Sequence, residues 1–488
     1  MFRWILAFLM ISIAGQGRVA GDDPGIVAVE NALIPPYSAK DRPVSRRRLA
    51  DRMNQLRVPA VSLAIVRNFE LRAVKAYGVA DLAERRAASP ETRFQAASLS
   101  KPVTAATALA LVKGGVLALD TDVNPVLKTW KIPDNDRNAA RKVTLRRLLS
   151  HSGGLSVEGF PGYADGHPLP ELLQILEGQP PANNPAVRSE LWPGLQYKYS
   201  GGGYEVVELL ITEKTGRPFP EVVSKYVLHP ARMKDSGYAY PRGPMTASAG
   251  TGYDGEGKPI AGRYYHYPEL AAAGLWTTAG DYARFGLELQ KSLNGRTGAL
   301  LPQALVREML TEQTKPGGLG FVLRSGERHW FLHTGMNAGF QSIALFSEDG
   351  DGAVILTNSD TGTILADEIV ATLASAYGWR EFLPEQRPAV SLSASALKQY
   401  EGSYPTTRFG TIYVEALSDR LRIRSQSRPA VEFFPESASM FFPETPGLKA
   451  RFMRGWFGGV NAIGFGKMAV RRAGNLPQQT AATPARIN

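Results

Sequence analysis

The chain has 488 residues, of which 44% are hydrophobic and 21% charged, values typical of a globular protein with two or three structural units. Its net charge of +11 is spread along the sequence, with a basic run only at Arg46-Arg47-Arg48, which argues against a nucleic-acid-binding surface. The chain contains no cysteine, which excludes disulfides and a lipid-modified cysteine.

The first 20 residues predict a secretory signal. Arg3 supplies a positive charge, and an apolar run from Trp4 to Ala14 is followed by small residues suited to signal cleavage. This run is too short to cross a bilayer, and no later stretch approaches about 18 consecutive apolar residues. We therefore expect a periplasmic or secreted protein whose mature form does not span a membrane.

Sequence patterns typical of β-strands occur at both ends of a first unit, which spans residues 25–380. Val58–Asp81 predicts two strands joined at Asn68, and the chain to about Leu310 is mainly helical. Short strands separated by glycine and aspartate turns then run to Ser359, and a helix follows near residues 364–377. This order predicts an α+β fold, in which an antiparallel sheet flanked by helices carries an inserted, mainly helical region.

A smaller second unit is predicted after a linker rich in proline and charge, REFLPEQRPAVSLS, at residues 380–393. Polar and apolar residues then alternate, and the rest of the unit is rich in glycine and aromatic residues. Residues 389–472 therefore predict a small all-β, barrel-like module. Residues 473–488 have the composition of a disordered tail.

The stretch QAASLSKPVTAATALALVKGG (95–115) places Ser98 three residues before Lys101 at the start of an apolar helix. A pair at this spacing lies on one face of a helix, so the lysine could activate the serine as a nucleophile. Alternatively, Ser98 or Ser100 caps the helix and Lys101 is solvated. Ser100 could equally line a pocket.

Spacing alone does not decide between these readings, because Ser395 and Lys398 repeat it without an apolar helix behind them. Two further motifs follow in the order that acyl transfer needs. Tyr199-Ser200-Gly201 lies in a loop before a helix that we predict to begin near Tyr204. His333-Thr334-Gly335 lies at the end of a predicted strand.

These residue types fit acyl transfer through a serine nucleophile. A buried lysine and tyrosine can accept the proton of Ser98, since Lys101 favours the phenolate of Tyr199. The oxyanion needs two N–H donors, which we expect from Ser98 and Met336. Gly335 would let the substrate approach the strand closely.

The sequence resembles the penicillin-recognising serine hydrolases of class C β-lactamase type. Besides the three motifs above, the resemblance extends to the stretches VTLRRLLSHSGGL, PGLQYKYSGGGY and AAAGLWTTAGDYARF. That family includes D-alanyl-D-alanine carboxypeptidases, D-aminopeptidases and β-lactamase-fold esterases. The resemblance covers residues 31–377 and implies a β-lactamase or transpeptidase-like fold. The C-terminal module looks like the small β-barrels often appended to this family.

The resemblance implies that Ser98 is the acylated nucleophile, Lys101 its activator and Tyr199 the general base. His333 to Gly335 would form the substrate-binding strand. Two positions depart from the family pattern: Gly201 replaces an asparagine whose amide meets the acyl-side amide of the substrate, and His333 replaces the lysine of β-lactamases.

Both departures weaken the assignment as a true β-lactamase. We therefore predict an exported serine hydrolase of peptidase or esterase type, which cleaves an ester or a peptidoglycan-type amide through an acyl-serine. A true β-lactamase and a slowly acylating penicillin-binding sensor are the alternatives. If the substrate carries a carboxylate, protonated His333 should hold it, with Thr334 donating a hydrogen bond.

Other chemistries find no support in the sequence. His329 and His333 share a strand face, but no carboxylate completes a metal site, and we expect neither a metal nor a cofactor. No Gly-x-Ser-x-Gly stretch or phosphate-binding glycine loop occurs. We interpret His151 as a structural residue of its loop.

Overall fold

The computed structural model describes residues 23–238, 248–296, 300–406, 410–425, 428–456 and 458–473. The predicted signal, residues 1–20, lies outside the described residues, as does all of the predicted tail except its first residue.

A seven-stranded antiparallel sheet forms the centre of the first unit. In spatial order its strands are Arg86–Ala87, Glu70–Asp81, Ala60–Arg67, Gly352–Thr357, Phe340–Ser347, His329–Asn337 and Val322–Ser325. Ala60–Arg67 pairs with Gly352–Thr357, so strands from the two ends of the unit meet in the middle of the sheet. The predicted α+β fold is confirmed.

Helices cover both faces of this sheet. On one face pack Ala279–Leu293 and the inserted helical region, which share the larger hydrophobic core. On the other face pack Pro24–Asn31, Leu49–Leu56 and Gly362–Tyr377. The strand Ala60–Arg67 is buried on both faces, which explains its continuous apolar sequence.

The inserted region contains the helices that carry the candidate site. Its described elements are Ser100–Lys113, Asp136–Ala140, Leu145–Leu149, Leu172–Glu177, Gly201–Thr215, Phe219–Val223, a π-helical turn Ser224–Leu228, Leu270–Ala273 and Gln303–Met309. A short antiparallel pair, Phe94–Gln95 with Trp276–Thr277, joins the region to the start of the nucleophile segment. No helix among the described residues is both long enough and apolar enough to cross a bilayer.

The C-terminal unit is an eight-stranded antiparallel meander, preceded by the short helix Ala394–Lys398. Its strands are Gly402–Thr406, Gly410–Ala416, Leu421–Ser425, Val431–Pro435, Met440–Pro443, Ala450–Arg454, Val460–Phe465 and Met468–Arg471. The first and last strands come together, and Ala473 N donates to Ser403 O at 2.8 Å. The sheet is therefore a nearly closed barrel, as the alternating sequence predicts.

The expected linker is a structured connection and not a free one. After the turn Arg380–Phe382, the strand Glu385–Arg387 pairs in parallel with Tyr37–Ala39. The guanidinium of Arg387 stacks over the Tyr37 ring at 3.5 Å. The amide of Tyr37 also donates to the Glu444 carbonyl of the barrel.

A buried ion cluster also joins the barrel to the first unit. Arg52, 3% exposed, bonds the fully buried Glu368 through both Nε and Nη2, and it reaches Glu444 at 3.4 Å. Arg47 bonds Glu444 at 2.7 Å. Because each carboxylate in this cluster has an arginine partner, the two units share a charge-balanced interface.

Candidate active site

Ser98 lies in a tight turn, Ala97–Leu99, that leads directly into the helix Ser100–Lys113. Ala97 has a φ of 51°, which is a left-handed conformation that alanine adopts only under constraint. The constraint comes partly from Ser100, whose hydroxyl donates to Ala97 O at 2.6 Å and accepts from Leu275 N at 3.0 Å. The turn therefore holds Ser98 partly exposed at the end of an otherwise buried helix.

Lys101 is buried beneath Ser98 and is not a solvated lysine. Its side chain is 2% exposed, and Nζ lies 3.0 Å from Ser98 Oγ and 2.9 Å from Ala272 O. Burial lowers the pKa of Lys101 to about 7, since the charged form loses its hydration. A substantial fraction of the side chain is therefore a neutral amine near neutral pH, able to accept a proton.

Tyr199 faces the same pair from the opposite side of the site. The nitrogen of Lys101 lies 4.9 Å from the centre of the Tyr199 ring, and the Tyr199 hydroxyl is close enough to Ser98 for that side chain to oppose the rise in the Tyr199 pKa. Burial raises the pKa of Tyr199 above its ordinary value, so the side chain is a phenol near neutral pH. This favours Lys101 over Tyr199 as the base in the resting site.

The loop that carries Tyr199 is held by Ser200 and His151. The Ser200 hydroxyl caps the helix Gly201–Thr215, which begins three residues earlier than predicted, by accepting from Gly203 N at 2.9 Å. The Ser200 amide donates to His151 Nδ1 at 3.1 Å, and the His151 ring lies 4.3 Å from the Tyr199 ring. His151 thus fixes the loop, in agreement with a structural role, and also packs on the candidate site.

His333 faces the site but does not carry a charge there. It is 4% exposed, and its Nδ1 donates to Thr334 O at 2.6 Å. Burial, with the nearby Lys101, lowers the pKa of His333 to about 3. Burial therefore opposes the protonated form of His333 that we expect to hold a substrate carboxylate, and that expectation stays a prediction.

The strand of His333 presents an open backbone edge to the site. Its neighbour Val322–Ser325 pairs with it only as far as Leu332, so the edge beyond is open among the described strands. The carbonyl of His329 accepts a hydrogen bond from Glu348 N, next to strand Phe340–Ser347. Because backbone groups alternate in direction along a strand, the N–H and C=O groups of the odd-numbered residues point towards that strand. The N–H of Met336 therefore points to the open edge, where an oxyanion donor is needed, and the Met336 side chain is 71% exposed.

Thr334 is exposed and, by strand alternation, its side chain points to the opposite face from His333. Gly335 faces inward, where a Cβ would lie 2.3 Å from Ala96 O and from Ser342 Oγ. Glycine is therefore needed here so that the strand can pack against the nucleophile turn. This reason differs from the predicted close approach of a substrate.

The space beside Gly201 is already filled. A Cβ on Gly201 would lie 2.9 Å from Phe160 Cε2 and 3.1 Å from Glu158 O. An asparagine at this position would need the Phe160 ring to move. The loop that carries Phe160 therefore occupies the space that a side chain at position 201 would need.

The residues that support the Lys101 side chain were not predicted from the sequence. Ala272 lies in the short turn Leu270–Ala273, and its amide donates to the buried Glu205 at 3.1 Å. The neighbouring amide of Ala271 donates to Glu208 at 2.8 Å. Two glutamates one turn apart in the apolar first part of the helix Gly201–Thr215 were the available signal in the sequence.

The second serine–lysine pair has no comparable surroundings. Ser395 and Lys398 are both exposed, and Ser395 Oγ lies 2.9 Å from Ser393 Oγ. Among the described residues, no group of three or more histidine, cysteine or acidic side chains is placed to hold a metal ion.

Comparisons with known proteins agree with this geometry. A family model described as Beta-lactamase matches residues 46–376. A D-aminopeptidase of Brucella ovis is 26% identical over 385 residues, which cover 72% of this chain and 68% of that protein.

Two solved structures share the fold. The octameric penicillin-binding protein homologue from Pyrococcus abyssi has a TM-score of 0.57 at 21% identity, over 86% of this chain and 98% of its own. The D-amino acid amidase from Ochrobactrum anthropi SV3, complexed with L-phenylalanine amide, has a TM-score of 0.56 at 24% identity, over 68% of this chain and 96% of its own.

Proposed function

Because the chain belongs to the beta-lactamase family, we propose that this serine hydrolase forms an acyl-enzyme at Ser98 and cleaves an ester or amide of peptidase or esterase type. The observation that carries the proposal is the contact of 3.0 Å between Ser98 Oγ and the buried amine of Lys101. A buried neutral amine is the group that can take the serine proton near neutral pH.

Acylation then proceeds as follows. Lys101 Nζ accepts the Ser98 proton while Oγ bonds the substrate carbonyl carbon, and the carbonyl oxygen becomes an oxyanion. The amides of Ser98 and Met336 donate to that oxygen. The bond to the leaving group breaks, and the proton held by Lys101 passes through the Tyr199 hydroxyl to the leaving alcohol or amine.

Deacylation uses the same groups in reverse. Lys101, neutral again, takes a proton from a water molecule that attacks the acyl carbon. The proton returns to Ser98 Oγ as the acyl group leaves as a carboxylic acid. Neither step requires a cofactor.

Two features favour a peptidase or esterase over a β-lactamase. Phe160 fills the space from which an amide side chain at position 201 would meet an acyl-side amide. His333 is neutral, so it offers no fixed positive charge to a substrate carboxylate, which favours an ester or an amino-acid amide without one. Two of the compared proteins are named D-aminopeptidase and D-amino acid amidase, names that describe amide cleavage.

Steady-state rates on four substrate classes test this assignment. The panel is p-nitrophenyl acetate, a D-amino-acid amide, a D-alanyl-D-alanine peptide and a cephalosporin, each assayed with the protein and with Ser98→Ala. We expect turnover of the ester or an amide, and none with the variant. Turnover confined to the cephalosporin would indicate the β-lactamase alternative, and acylation without turnover would indicate the sensor.

We also propose that the protein is exported to the periplasm or medium. The support is the sequence of residues 1–20, with its positive charge, apolar run and small residues. Expression in a Gram-negative host followed by N-terminal sequencing of the periplasmic protein tests this. A mature chain that begins near residue 15, 18 or 21 is expected, and a cytoplasmic chain that retains Met1 would contradict export.

A further inference from the structure

Glu205 binds the backbone of the residue that accepts a hydrogen bond from Lys101. Ala272 O accepts from Lys101 Nζ at 2.9 Å, and Ala272 N donates to Glu205 Oε1 at 3.1 Å. One residue of a four-residue turn therefore joins the lysine to a fully buried carboxyl group. The Glu205 carboxyl also interacts with the side chain of Glu208.

Glu208 provides an internal comparison, because it makes the same kind of contact one residue away. It lies one turn further along the same helix, and its carboxyl accepts from Ala271 N at 2.8 Å. The carbonyl of Ala271 accepts from the hydroxyl of Thr104 and not from the lysine. Both glutamates thus cap the turn, but only the contact of Glu205 continues to the candidate base.

The electrostatic environment of Lys101 is otherwise short of negative charge. The titratable side chains that face it from the surrounding elements are His151, Tyr199, Tyr204, Glu205 and His333. Both histidines have pKa values lowered by burial, and both tyrosines have pKa values raised by burial, so all four are neutral near neutral pH.

Glu205 itself has several acidic neighbours. Burial raises its pKa, the carboxyls of Glu208 and Glu269 raise it further, and Lys101 opposes the rise. Tyr238 also faces these acids. A proton that enters this region is therefore distributed between the lysine and the carboxyl behind it.

We propose that Glu205 is a positioning residue for the candidate base: it holds Ala272 against Lys101, and its carboxyl, when ionised, stabilises the protonated lysine. The inference rests on the proposed function, in which Lys101 takes the serine proton. It goes beyond that function by assigning the group that balances the resulting charge.

The test is the pH dependence of Ser98 labelling by a neutral fluorophosphonate, measured from about pH 5 to 9 for the wild-type protein and for Glu205→Gln. The rate in the wild type should rise as Lys101 loses its proton. The glutamine amide of the variant keeps an acceptor for Ala272 N but cannot ionise, so the protonated lysine loses the stabilisation that the carboxylate form gives. The midpoint of the rise should move to lower pH by about one pH unit.

Glu208→Gln is the matched control, because it alters the same turn but leaves the Glu205 carboxyl in place. Since the Glu208 carboxyl raises the pKa of Glu205, its removal should leave the midpoint in place or move it to higher pH, the opposite direction from Glu205→Gln. A folded Glu205→Gln protein with an unchanged midpoint would overturn the proposal, as would equal shifts in both variants, which would indicate a general effect of the acids.

If Glu205→Gln does not accumulate as folded protein, Glu205→Asp replaces it. Aspartate keeps the charge but withdraws it from Ala272 by one methylene, so the midpoint should move in the same direction by a smaller amount, and an unchanged midpoint would again overturn the proposal. Failure of the wild type to be labelled at Ser98 would instead contradict the proposed function, so the two failures are distinguishable.

Discussion

Replacing Gly335 by alanine should impair catalysis more than folding. The added Cβ would lie 2.3 Å from Ala96 O and 2.3 Å from Ser342 Oγ, whereas ordinary contacts begin at 3.4 Å. The backbone oxygen cannot rotate away, because Ala96 immediately precedes the constrained turn at Ala97. The strand and the nucleophile turn must therefore separate by roughly 1 Å.

This separation acts directly on the proposed oxyanion donors, which belong to the two segments that move apart. A displacement of about 1 Å in a catalytic constellation can reduce the rate about 100-fold. Overpacking of this kind typically lowers the free energy of unfolding by about 1 to 3 kcal/mol, which a protein of this size tolerates. We therefore expect a folded protein with kcat/KM for p-nitrophenyl acetate reduced about 100-fold.

The assay pairs kcat/KM with urea denaturation of the same preparations. His329→Ala is the control, since His329 is an exposed residue of the same strand and should change the free energy of unfolding by less than about 0.5 kcal/mol. Retention of kcat/KM within roughly threefold in Gly335→Ala would refute the argument that this contact aligns the oxyanion donors.

Three further predictions concern the site and the interface. The kcat/KM for a neutral ester should rise with pH through about 7, because Lys101 must lose its proton to act as base, and a profile flat from pH 5.5 to 8.5 would contradict this assignment. Gly201→Asn should lower the free energy of unfolding by about 1 to 3 kcal/mol, and Phe160→Ala in the same chain should recover part of that loss. Purely additive effects in the double-mutant cycle would show that the Phe160 ring does not fill this space. Glu368→Gln should destabilise the protein by about 3 to 5 kcal/mol in chemical denaturation, because it leaves the buried Arg52 without its main partner, and a loss below about 1 kcal/mol would mean that the cluster is solvated.

The sequence predicted the sheet and the barrel well, because their signals are local. The strands Ala60–Arg67 and Glu70–Asp81 meet at the predicted turn, where Asn68 has a φ of 53°. The β-pattern after residue 397 likewise appears as regular antiparallel strands. Alternation and turn residues carry this information without knowledge of the rest of the chain.

Features that depend on tertiary contacts were predicted less well. The helix after Tyr199 begins at Gly201, although three consecutive glycines disfavour a helix, because the Ser200 hydroxyl caps it. Neighbouring residues crowd the space beside Gly201 and Gly202. The charge of His333 could not be read from its position in the motif, since its neutrality follows from burial beside Lys101.

The segment predicted as a linker is another feature that depends on tertiary contacts. Its prolines and charges are typical of an exposed connection, yet Glu385–Arg387 pairs with a strand more than 300 residues earlier in the chain. We therefore expect this segment to resist limited proteolysis, and the separate-domain interpretation of residues 389–472 stays a prediction.

The central claim is that Ser98 is the acylated nucleophile and that the buried Lys101 activates it. Peptide mass spectrometry after brief treatment with a fluorophosphonate tests both the position of the nucleophile and its activation by Lys101, with Lys101→Met as the matched variant. We predict one adduct on Ser98 in the wild type and labelling at least about 100-fold slower in Lys101→Met, while the exposed Ser395 stays unmodified. An adduct at Ser395 or Ser200, or equal labelling rates with and without the lysine, would contradict it.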